Sequence, residues 1–63
     1  RAMANKGKHI VNWSIFENRL IGEWNGKAIC TNEIQKTERF EDMVMFTTRS
    51  GSIYFVYDDE RAC

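Results

Sequence analysis

The side chains able to do chemistry in this 63-residue chain are few and scattered. His9 is the sole histidine, and no Ser or Cys nucleophile stands at a recognised catalytic spacing from it, so acyl transfer lacks its base and nucleophile pair. No Cys-x-x-Cys or His-x-x-x-His surrounds His9 either, so neither a structural nor a catalytic zinc is expected. Glu41-Asp42 and Asp58-Asp59 are acidic neighbours, and adjacent side chains of extended chain point to opposite sides, which suits no general acid and base couple. The glycines at 7, 22, 26 and 51 are isolated and build no phosphate loop. The chain reads as non-enzymatic, with no cofactor.

One binding chemistry merits weighing. Small β-barrels hold single-stranded nucleic acid by stacking bases on aromatics beside Lys and Arg. Trp13, Trp24, Tyr54 and Tyr57 are available, with Arg19, Lys27 and Arg49 on the same stretches. The site on this alternative reading is Trp13 or Trp24 with Arg19 and Lys27. A formal net charge of zero opposes it, since phosphate neutralisation supplies much of such affinity. Two tryptophans are also economical core fillers for so short a chain.

The elements that must position these residues are strands. HIVNWSIF, residues 9 to 16, is rich in β-branched and aromatic types. Glu17-Asn18 connects it to Arg19–Trp24, and Asn25-Gly26 is the strongest hairpin signal in the chain. The return strand runs from Lys27 to about Ile34. QKTERFED, 35 to 42, is charged and reads as a connection, with one helical turn as an option and Phe40 tucked back as a plug. MVMFTTR then re-enters β, turns at Ser50-Gly51 and returns as SIYFVYD. The expected fold is all-β: a five-stranded antiparallel meander, 9–16, 19–24, 27–34, 43–49 and 52–57, forming a strongly bent sheet or small, partly open barrel of broadly SH3 or OB architecture.

Turn geometry fixes which residues share a face. Around Asn25-Gly26, Trp24 opposes Lys27, Gly22 opposes Ile29 and Ile21 opposes Cys30. One face then holds Leu20, Trp24 and Ile29, the other Ile21, Ala28 and Cys30. A two-residue turn at Ser50-Gly51 sets Thr48 opposite Ile53 and Phe46 opposite Phe55. Val44, Phe46, Ile53, Phe55 and Tyr57 then form the core, and Met45, Tyr54 and Val56 an apolar outer patch. Burying such side chains is worth about 1.5 to 3 kcal/mol each, so the patch predicts a protein contact or a homo-oligomer, with Arg49 and Tyr57 at its margin. The bland alternative is that curling of the sheet, or the 35 to 42 connection, covers this second face.

A chain this short buries only about 60% of the surface its unfolded form exposes, so a second copy is one expected source of stability. Cys30 and Cys63 are the only cysteines, read as a half-buried strand thiol and an exposed terminal thiol in a reducing cytoplasm. No apolar run reaches membrane-spanning length. Residues 1–7 are expected to be a flexible segment with Arg1-Ala2 as a remnant of expression before a natural start at Met3, 8–57 a single β domain, and 58–63 an acidic tail able to meet a basic partner.

ICTNEI followed by VMFTTRSGSIYFVY resembles a group of very short phage and prophage β proteins that share a T-[S/N]-x-I strand and V-x-T-x-S-G-S-x-Y-x-[L/V]. The similarity covers about residues 19 to 57. It implies a phage accessory protein that works by binding and inhibiting a host factor, defence or restriction systems included. It carries no catalytic residues onto this chain.

Overall fold

Asn25 and Gly26 both adopt positive φ, 51° and 79°, as a type I′ hairpin turn demands. Glu17 and Asn18 do the same at 50° and 61°, so the first two hairpins form where their turn residues place them. The computed structural model describes residues 7–62; the expectations for residues 1–6 and for the Cys63 thiol lie outside them. Its strands are β1 (Lys8–His9), β2 (Val11–Phe16), β3 (Arg19–Trp24), β4 (Lys27–Phe40), β5 (Met43–Thr48) and β6 (Ile53–Tyr57), followed by a 3-10 turn at Asp58–Glu60. They make one all-β sheet in the order β1-β6-β5-β4-β3-β2.

β1 and β2 are consecutive, separated only by Ile10, yet they lie at opposite ends of that order. The sheet therefore curls until its ends meet at Ile10, whose N–H donates to the Phe55 carbonyl at 3.0 Å. β1 runs parallel to β6, pairing Lys8 with Tyr54 and His9 with Phe55. The single strand expected over 9–16 is thus broken in two, and the meander gains a sixth member. A bulge between Val11 and Ser14 bends the chain further, with Asn12 at φ 54°.

The core within this curl is Ile10, Trp13, Leu20, Val44, Phe46 and Val56, flanked by Trp24, Ile29, Ile34 and Tyr54. The pairings around Asn25-Gly26 are those its turn dictates, and Leu20 is fully buried while Ala28 and Cys30 are exposed. Cys30, expected to be half-buried, lies on the outward face instead. Where β4 carries an extra residue opposite Leu20, the Leu20 N–H is taken by the Thr31 hydroxyl at 3.1 Å. That side chain, 4% exposed, repairs the ladder at the bulge.

Three expectations are corrected. Residues 35–40 are no connection or helix: β4 continues to Phe40 and turns only at Glu41-Asp42. Phe40 is not a plug, being 48% exposed. Residues 58–62 belong to the domain rather than to a solvated tail: Arg61 bridges Trp13, and the Ala62 N–H donates to the Trp13 carbonyl at 2.7 Å.

Candidate protein-binding face

The turn between β5 and β6 has three residues, Arg49, Ser50 and Gly51. The Gly51 N–H donates to the Thr48 carbonyl and the Thr48 N–H to the Ser52 carbonyl, each at 2.9 Å, with Gly51 at φ 90°. This is a type I turn followed by a left-handed glycine. Compared with a two-residue turn at Ser50-Gly51, it moves the pairing by one residue: Phe46 faces Tyr54, Val44 faces Val56 and Met45 faces Phe55. A one-residue slip sends every side chain of a strand to the other face. Tyr54 and Val56 accordingly point inward with Val44 and Phe46, and Val56 is fully buried.

The predicted patch is therefore not a unit. Met45 lies on the outer face, Tyr54 and Val56 on the inner one. Arg49 sits on the turn, 3.4 Å from Glu33, at the opposite end of the β5–β6 ladder from Met43 and Tyr57. Tyr57 is on the outer face but buried. Ile53 and Phe55, assigned to the core, also belong to the outer side.

Pairings across β4, β5, β6 and β1 arrange that outer face in rows, because directly opposite residues share a side. Phe40, Met43 and Tyr57 form one row; Glu38, Met45, Phe55 and His9 the next; Lys36, Thr47 and Ile53 the third. The His9 ring stacks on Phe55, centroids 5.0 Å apart and 6° from parallel, and meets Tyr57 edge-on at 5.3 Å. Its Nε2 is 2.8 Å from Glu60 Oε1. His9 thus roofs the two deeper aromatics, leaving exposed Phe40 beside half-buried Met43 and Met45 at one end of the face, with half-buried Ile53 toward the other. Sequence reasoning missed Phe40 and Met43 by treating 35–42 as a loop; the two-residue Glu41-Asp42 gap between Phe40 and Met43 was the signal available.

The alternative nucleic-acid residues are dispersed. Trp13 is 3% exposed, donates Nε1–H to the Tyr57 carbonyl at 2.8 Å and carries the Arg61 guanidinium over its ring at 4.8 Å. Trp24 is half-buried with the Lys8 ammonium 4.6 Å above its ring, and Lys27 stands opposite it. Arg19 is on the other face of the strand, paired with Glu33 and donating to the Thr31 carbonyl at 3.1 Å.

Asp58 ties the end of the chain to β4. Its carboxylate accepts two hydrogen bonds from Arg39, at 2.9 and 3.1 Å, which hold the Asp58 carboxyl below its usual range and push the Arg39 guanidinium up. A depressed folded-state value stabilises the fold above the unfolded carboxyl's range and is lost as pH falls through the folded value. Urea midpoints followed from neutral into acid should therefore fall less steeply for Asp58→Asn than for wild type. The difference should be small, since both groups face solvent.

Among the described residues, no group of three or more His, Cys, Asp or Glu converges to hold a metal, and no helix is long and apolar enough to cross a membrane. No protein-family model, no curated protein and no solved structure matches this chain.

Proposed function

We propose that this chain is a non-enzymatic protein-binding module that acts in the cytoplasm, contacts its partner through the outer face around Phe40, Met43 and Met45, and self-associates. The carrying observation is Phe40: a large aromatic 48% exposed, beside two half-buried methionines and backed by packed Phe55 and Tyr57. Aromatics and methionine are the residues enriched where proteins meet, and methionine adapts its shape to a partner. The resemblance to short phage β proteins supports a host protein as the partner, inhibited by this contact.

Phe40→Ser tests it. Because Phe40 is half exposed, the variant should stay folded, with stability changed by about 1 kcal/mol or less. Tagged wild-type protein should retain a specific protein from bacterial lysate that the variant loses. Equal recovery of that protein by both would remove this face from the function.

A further inference from the structure

β4 changes partners at its middle. Residues 27–33 pair with β3 and 34–40 with β5, so among the described residues each half is paired on one side only, and no strand adjoins the other side of 36–40. The Glu41-Asp42 loop closes on Phe40 and Met43, a hydrogen-bonded pair in a two-residue hairpin. Alternation along an antiparallel ladder then turns the backbone groups of Glu38 and Lys36 toward β5 and those of Thr37 and Arg39 toward the open side.

Open edges are commonly blunted by charge, but these charges have a pattern. Lys36 and Glu38 flank Thr37 symmetrically, have opposite sign, and share the outer face with their charged ends 3.8 Å apart. We propose that this edge, residues 35–40, docks antiparallel on the same edge of a second copy of the chain, with Thr37 opposite Thr37 on the two-fold axis. The two threonines exchange both backbone hydrogen bonds. Lys36 of each copy then faces Glu38 of the other in the non-hydrogen-bonded positions, where side chains approach most closely.

Centring the pairing on Arg39 instead would set Glu38 against Phe40 and forfeit the match. The free edge of the other half of β4, around Ala28 and Cys30, carries no such charge pair. An interface built this way is isologous and closes at two chains. Met43 and Met45 stay outside the new ladder and Phe40 lies at its end, so the dimer presents two copies of the partner-binding face. The inference rests on the self-association in the proposed function and not on that face.

Sedimentation velocity of the full chain under reducing conditions, which exclude a disulfide through exposed Cys30, provides the test. Wild type should be a dimer. Lys36→Glu and Glu38→Lys should each weaken it at least tenfold while the far-ultraviolet spectrum stays unchanged. An equimolar mixture of these two variants should restore dimers. One chain then carries carboxylates at both flanking positions and the other carries ammonium groups at both, so each cross-strand pair again joins opposite charges.

A monomeric wild type at high concentration would overturn both the edge and self-association. A wild-type dimer indifferent to Lys36→Glu would overturn the edge alone, and weakened single variants that fail to recombine would overturn the Thr37-centred register.

Discussion

Trp13→Ala should leave the protein largely unfolded at room temperature. Truncating a buried Trp to Ala costs about 3–5 kcal/mol in lost burial and cavity formation. The Trp13 Nε1–H also satisfies the Tyr57 carbonyl, and a buried acceptor left without its donor costs about 1–3 kcal/mol more. At roughly 0.05–0.15 kcal/mol per residue, a chain of 63 residues holds on the order of 3–9 kcal/mol in all. The loss matches the reserve.

The consequence extends past the core. Trp13 contacts Phe46 edge-on at 6.3 Å and its ring lies under the Arg61 guanidinium, so the closing segment 58–62 loses its side-chain anchor and keeps only the backbone bond from Ala62 to the residue 13 carbonyl. Circular dichroism and urea titration would check this. A cooperatively folded Trp13→Ala protein that had merely lost affinity for oligonucleotides would reverse the assignment of Trp13 to the core.

How far the sequence discloses this molecule depends on the reach of each interaction. Hairpins closed by Glu17-Asn18 and Asn25-Gly26 are legible because the requirement for positive φ is local, and Asn and Gly meet it at low cost. The turn after Thr48 is equally local, and Ser50 was the sign: a type I′ turn needs positive φ at both central residues, whereas a type I turn accepts Ser50 and asks for glycine next. Taking two residues where the chain uses three inverted both faces of β6 and drew Val56, a core residue, into the predicted site.

The second half of β4 was illegible for another reason. Its residues 35–40 are all exposed and it is paired on one side, so little selects the apolar alternation by which strands are recognised. β1 lay beyond local reading altogether. Its partner is β6, some forty-five residues away in the chain, and only that pairing explains why Phe55 and Tyr57 can face outward and still be buried beneath His9.

Apart from Gly7→Ala, Gly22→Ala should be the most damaging glycine substitution among the described residues, and it tests the bend that brings β1 into place. A Cβ on Gly22 would lie 2.6 Å from Ile10 Cγ2, 2.8 Å from the Val11 carbonyl oxygen and 3.1 Å from the Trp13 Cα. Two of those three neighbours are backbone, so no rotamer change relieves the clash. The strand opposite bulges directly over Gly22, with Asn12 and Trp13 facing one residue.

Overpacking of this kind costs up to about 3 kcal/mol, a large share of what so small a domain holds. Gly51→Ala is the informative control. It meets nothing within 4 Å but sits at φ 90°, so it should cost only the left-handed backbone penalty, roughly 1–2 kcal/mol. The denaturation midpoint should therefore fall further for Gly22→Ala than for Gly51→Ala. Relief of the clash requires β2 to lift away from β3 at Ile10, the junction where the sheet closes. The fluorescence of Tyr57 and the exchange rate of the Ile10 amide, bonded to Phe55, should change in the Gly22 variant and not in the Gly51 one. Equal losses from both variants, with the Ile10 amide equally protected, would mean that the close crossing over Gly22 does not hold the curl of the sheet.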